Sequence, residues 1–161
     1  MLKAFGESLK ALHARIRGGT PGLRPWEVEI IRRSDEVTGA AGRDILLAQA
    51  ALVDFCQRTH ADRINIVVVK GHGAPRLANT DVELILQGRL TVPRGGGASV
   101  PFQVYAKTGG LLATFEFRKS PLHLEGQAFA VVFDPKPWKG RPDVATLIDR
   151  LEHDRDSADG L

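Results

Sequence analysis

Apolar residues at Leu2, Phe5, Leu9, Leu12 and Ile16 recur three and four positions apart, which predicts an amphipathic helix over residues 2–16. The run Gly18-Gly19-Thr20-Pro21-Gly22 ends it. Pro25 suits the first turn of a second helix, where a missing N–H costs nothing, and Glu27 and Glu29 favour that helix's positive end. The second helix is expected to fade near Thr38, before Gly39-Ala40-Ala41-Gly42. A third is expected over Asp44–Thr59, apolar on more than one side and therefore deeply buried, with Trp26 capping the second helix against the sheet.

From Arg63 the period changes to two. Residues 64–69 are apolar at nearly every position, which predicts a central strand covered on both faces. Val82 to Val92 reads as another strand, and Arg94-Gly95-Gly96-Gly97-Ala98-Ser99 as a turn. Val100–Lys107 and Leu111–Lys119 form a hairpin closed around Thr108-Gly109. Its core face is expected to carry Phe102, Val104, Ala106, Ala113, Phe115 and Phe117, leaving Gln103, Tyr105, Lys107, Thr114, Glu116 and Arg118 on the other. Gln127–Phe133 is a last strand, again apolar on both faces. Prolines at 135, 137 and 142 end the sheet, and Asp143–Glu152 predicts a closing helix.

Helices first, strands second and a helix last make this an α+β chain. The expected architecture is a mostly antiparallel sheet of five or six strands, with N-terminal helices on one face and a C-terminal helix at an edge. A length of 161 residues, 43% hydrophobic and 25% charged, fits one globular domain over residues 1–153, with 154–161 a frayed acidic tail. The one cysteine, Cys56, excludes an internal disulfide framework and suits a reducing compartment. No apolar run approaches the roughly eighteen residues that cross a bilayer. Charges scattered from Lys3 to Arg17 leave no apolar centre for a secretory signal, so a cytoplasmic chain is expected.

The formal net charge of +3 is unevenly spread. Residues 1–33 carry seven Lys or Arg against three Glu, and residues 143–161 carry six acids against two Arg. Head and tail therefore attract each other, within one chain or between copies, although two solvated helix faces of unlike sign explain the pattern more simply.

Lys70-Gly71-His72-Gly73 follows a strand, as a phosphate-binding loop would, but another strand follows it. A phosphate loop needs a helix N-terminus after the glycines, so this is read as a β–β connection. Lys70, His72 and Arg76 remain a candidate surface anion site. Cys56 and His60 would share a face if both lay on one helix, but a zinc site wants four ligands and no second pair follows; no metal or cofactor is expected. His72 and His123 are the loop candidates for a general base, while the patterns G-x-S-x-G, H-E-x-x-H and the P-loop are absent from the sequence. No catalytic residue is assigned.

Two binding surfaces are more specific. One is the polar hairpin face, represented by Tyr105, Glu116 and Arg118. The other is Lys136-Pro137-Trp138-Lys139-Gly140-Arg141, where Trp138 amid Lys136, Lys139 and Arg141 could anchor a partner or stack a base.

Three stretches, Pro25-Trp26-Glu27 with Ile30-Ile31, Leu46-Leu47-Ala48-Gln49, and Gly109 to Arg118, together resemble a set of small bacterial proteins of helices followed by an antiparallel sheet. The resemblance covers residues 24–119 and implies a fold but no catalytic residues. Some proteins of this shape neutralise toxins, although those that block nucleases are commonly acidic, unlike this basic chain. The expected function is a non-enzymatic interaction module for a protein partner, a second copy or a small ligand. The alternatives are a small enzyme built around His72 or His123, and a weak nucleic-acid binder through Lys136–Arg141. A membrane is not expected as a partner.

Overall fold

A computed structural model describes residue 20 and residues 22–78, 81–93 and 99–134. Helix α1 spans Pro25–Arg32 and α2 spans Asp35–Ala51. Six strands follow: β1 Val53–Thr59, β2 Ile64–Val69, β3 Glu83–Thr91, β4 Ser99–Ala106, β5 Leu112–Phe117 and β6 Ala130–Phe133. They form one antiparallel sheet in the order β1-β2-β5-β4-β3-β6. The expected α+β class holds. The predicted helices over 2–16 and 143–152 and the loop 136–141 lie outside the described residues.

The boundary between helix and sheet differs from the expectation. Residues 53–59, read as the end of a third helix, are strand β1 instead. Val53, Phe55 and Cys56 face inward while Gln57 and Thr59 are exposed, so burial follows a strand more nearly than a helix. Val, Phe and Thr favour that pleated, half-buried setting. The second helix also stops earlier, at Arg32, and α2 begins at Asp35. The glycines at 39–42 mark a kink inside α2: Gly39 has φ 76° and ψ 171°, which an L side chain rarely adopts.

Two strands expected to be covered on both faces are not. In β2, Asn65, Val67 and Val69 are buried, but Ile66 is 43% exposed. Strand β6 is four residues long and lies at the sheet edge, with Ala130 and Val132 exposed. A continuous apolar run records hydrophobicity but not how many layers lie against it. In the hairpin, the core face is as expected except at one position. An irregularity between Tyr105 and Ala106 pairs Ala106 with Leu112, so Leu112 is buried and Ala113 is not.

One core joins Trp26, Ile30, Ile31, Ile45 and Leu46 of the helices to alternate residues of the sheet. Phe102 of β4 meets Phe133 of β6 edge-on across Gly88 of β3, which pairs with both, and the ring centroids are 5.9 Å apart.

A buried ionic cluster orients α1 on this core. Glu27 is fully buried and Arg58, on β1, has a side chain only 5% exposed. Arg58 Nη2 donates to Glu27 Oε1 at 2.6 Å and Nη1 donates to Oε2 at 2.9 Å. Asn65 Nδ2 adds a donor to Oε2 at 2.8 Å, and the Arg24 backbone N–H donates to Oε1 at 2.7 Å. The last contact closes the first turn of α1, as an acidic residue at the third helical position can. Burial by itself would lower the Arg58 pKa, but the hydrogen bonds and charge of Glu27 outweigh it and hold the guanidinium above its usual value.

A second anchor holds the opposite end of the sheet. Gln49 of α2 donates through Nε2 to Pro75 O at 2.9 Å and Gly110 O at 2.8 Å, and its Oε1 accepts from Leu112 N–H at 2.7 Å. One buried amide thus ties the loop after β2 to the hairpin turn. Gly110 allows the approach: φ is +81°, and a Cβ there would lie 1.9 Å from Leu77 O.

Replacing Glu27 with Ala would leave a buried guanidinium unpaired, and a loss of about 3–5 kcal/mol is expected in urea unfolding. The pairwise apolar exchange Glu27→Leu with Arg58→Met is expected to recover most of it. Gly110→Ala is expected to cost about 2–4 kcal/mol by the same measurement, from left-handed strain together with collision with Leu77. Gly22→Ala, with open space around its Cβ, should change stability by less than about 0.5 kcal/mol.

Candidate functional site

Strict alternation along β4 buries Val100, Phe102, Val104 and Ala106, and turns Pro101, Gln103 and Tyr105 to the face away from α1 and α2. Register carries that face across the sheet. Gln103 pairs with Glu116 on one side and Gln87 on the other; Glu116 also pairs with Ile64. Asp134 N–H donates to Gln87 O at 2.8 Å, placing Asp134 at the end of the same line. Two residues along each strand, a second line holds Arg118, Pro101 and Arg89. Arg118 N–H donates to Pro101 O at 3.0 Å, and Pro101 pairs with Arg89.

These two lines form a groove of about 660 Å³ drawing on β2, β5, β4 and β3 and on residues flanking them. Arg63 and His60 close it at the β2 end, and Ile64 and Pro101 supply its apolar part; Phe102 and Phe117 also border it, although their side chains are buried in the core. A groove with apolar walls and a few convergent polar groups is the usual form of a ligand site.

The turn at its β2 end is strained. His60, Ala61 and Asp62 have φ values of 53°, 54° and 64°, although none is glycine. Such residues cost about 1–2 kcal/mol each in the left-handed region. Asp62 fixes the turn: its Oδ2 accepts from Arg24 Nε at 2.9 Å and lies 3.6 Å from Arg58 Nη1. Ser120 Oγ donates to Ala61 O at 2.7 Å. The ionic cluster that orients α1 therefore also positions the turn carrying His60.

Of the residues singled out in the sequence, Glu116 and Arg118 line the groove. Tyr105 lies one step along the same face, its hydroxyl donating to Gln103 Oε1 at 3.0 Å. Lys70, His72 and Arg76 are elsewhere, beyond the far end of β2. Lys70 and His72 are exposed there. Arg76 is held by backbone, Nη1 donating to Gly109 O at 3.2 Å and Nη2 to Gly71 O at 3.3 Å. The connection from β2 to β3 contains no helix among its described residues. His123 is exposed in the middle of the 3₁₀ turn Leu122–Leu124, with Nδ1 3.1 Å from Ser120 O; neither His72 nor His123 lines the groove. Lys136, Trp138, Lys139 and Arg141 lie outside the described residues.

Sequence reasoning missed Arg63, Arg89, Gln87, Asp134 and His60 as groove residues. Gln87 and Arg89 flank Gly88 between Leu86 and Leu90, a period of two that places them on one face of β3. Their adjacency to Glu116 depends on β3 and β5 flanking β4, and no local signal carries that.

The Cys56–His60 spacing has no helical meaning, because Cys56 is on β1 and His60 is in the turn. No group of three or more His, Cys, Asp or Glu among the described residues could hold a metal ion. Cys56 is fully buried. Burial, opposed by the nearby Arg58 charge, pushes its thiol from 9.0 up to about 11.

No family model, curated protein or solved structure matches the chain.

The raised thiol pKa sets two expectations. In the folded protein Cys56 should react with an aromatic disulfide at pH 8 only as fast as the chain unfolds, and promptly in denaturant. An unfolded chain releases this proton from 9.0 upward while the folded one holds it to about 11. The thiol's contribution to stability is therefore present below pH 9 and is lost as pH rises toward about 11. Cys56→Ala should lack that part of the decline in alkaline unfolding curves.

Proposed function

We propose that this chain is a non-catalytic binding module that takes its ligand on the sheet face away from α1 and α2. The supporting observation is a contrast in how charges are used. In the interior and on the helices, arginines are paired: Arg58 with Glu27, Arg24 with Asp62, Arg32 and Arg33 with Glu29, Arg43 with Asp35 and Asp44. In the groove, Arg89, Arg118, Glu116 and Asp134 form no ion pair with any described residue, although they line one concavity. Charged groups of both signs left unpaired in a concavity suit recognition of a polar ligand or an extended partner segment. The free, buried Cys56 is consistent with a reducing, cytoplasmic setting.

The test uses capture by the tagged full chain from native-host lysate, with co-purifying proteins and small molecules both read by mass spectrometry. Gln103→Arg puts a long cation in the middle of the groove; Arg33→Gln, on exposed helix surface, is the control. The material retained by wild type is expected to fall about tenfold or more with Gln103→Arg and to be unchanged with Arg33→Gln, a loss typical of a central contact. Equal retention by wild type and Gln103→Arg would place binding elsewhere and end the proposal, as would an empty wild-type capture.

A further inference from the structure

Arg89 and Arg118 stand on either side of Pro101. Their strands both neighbour β4, so the two backbones are separated by about 10 Å, twice the strand spacing. Pro101 contributes a short, uncharged ring between them. Two arginine side chains rooted at that separation can bring their guanidinium groups to a common point above the proline. Among the described arginines, these two have neither an ion pair nor a hydrogen bond to another described residue through the side chain. Arg63 reaches Phe117 O at 3.5 Å, and Arg76 is bound to two carbonyls.

We propose that Arg89 and Arg118 form a two-pronged clamp for an anionic oxygen group, phosphate or carboxylate, on the ligand of this groove. The proposal rests on the reading of the open sheet face as the binding surface and names the chemistry that face selects. A guanidinium presents paired N–H donors matched to such oxygens, and charge-assisted bonds of this kind are about twice as strong as neutral ones.

The neighbouring line sets the rest of the ligand's polarity. Glu116 and Asp134, with Gln87 and Gln103 between them, lie about 7 Å along the strands from the arginines. The carboxylates accept hydrogen bonds, so the complementary ligand carries N–H or O–H donors at that distance from its anionic end. Arg63 and His60 flank the clamp from the strained turn. A strained turn held rigid by Asp62, Arg24 and Ser120 fixes the position of those groups before a ligand arrives, which lowers the ordering cost of binding.

The test is a side-chain and backbone NMR titration of the full chain with inorganic phosphate and, separately, with succinate, each at ionic strength matched with chloride. Saturable shifts at the Arg89 and Arg118 Nε–Hε groups are expected with at least one anion, and the anion that saturates identifies the class. Affinity should fall about tenfold in Arg89→Gln and in Arg118→Gln, as expected for loss of a charge-assisted hydrogen bond. Arg33→Gln should match wild type. Both groove variants replace exposed side chains, and unchanged thermal midpoints would confirm that they remain folded. No saturable shift with either anion overturns the clamp, as does saturation that persists in the double variant Arg89→Gln/Arg118→Gln. If Gln103→Arg abolishes capture while neither anion binds, the face remains the binding surface and only the clamp fails. If an anion saturates while Gln103→Arg leaves capture unchanged, the clamp stands and the wider reading falls.

Discussion

The Glu27–Arg58 pair is the constraint on which the local architecture depends. Two charges removed from water are tolerated only when each remaining lone pair and proton finds a partner. Here Glu27 takes two bonds from Arg58, one from Asn65 and one from the Arg24 backbone, while Arg58 reaches further to Thr20 Oγ1 at 3.0 Å and Gly22 O at 3.2 Å. These partners come from α1, its approach segment, β1 and β2. Apolar burial alone would let α1 slide or rotate on the sheet with little change in area. A bidentate pair supported by an amide has one good geometry, and it sets the orientation of α1. Asn65 Oδ1, within the cluster, and Trp26 Nε1, beside Glu27 in sequence, are the buried side-chain atoms left without a partner among the described residues.

The same cluster connects the core to the opposite face. Arg58 and Arg24 both approach Asp62, and Asp62 is the last of three non-glycine residues in the left-handed region. A turn of this kind persists because its surroundings over-determine it. Its outward residues, His60 and Arg63, border the groove. Packing of α1 and the shape of the groove's β2 end are therefore coupled through a chain of direct contacts. At the other end of the sheet, Gln49 performs a comparable role for the β2–β3 loop and the hairpin turn.

Much of the strand pattern was legible. The expected Val82–Val92 strand and the observed Glu83–Thr91 differ by one residue at each end. The hairpin alternation sorted Phe102, Val104, Phe115 and Phe117 from Gln103, Glu116 and Arg118 correctly, because a period of two is a local property of the chain. The failures fall where local pattern is ambiguous. Residues 53–59 follow a helix with only Leu52 between, and their apolar positions fit either period over so short a span. Gln49 interrupts the apolar run from Ile45 to Val53, yet it is a buried staple whose three partners lie more than twenty residues away in sequence.

The sequence by itself determined the α+β class, the hairpin and, Ala113 excepted, which side chains of the hairpin face the core, since alternation and turn chemistry act between near neighbours. Tertiary structure alone decided the strand order, the open face of β2, the partner of each buried charge and the composition of the groove. The physical reason lies in pairing. A strand's alternation states which residues share a face, but the strand beside it is chosen by hydrogen bonds and packing summed over the whole sheet. Arg89 and Arg118 are twenty-nine positions apart in the chain and become neighbours across Pro101 only because β3 and β5 both pair with β4.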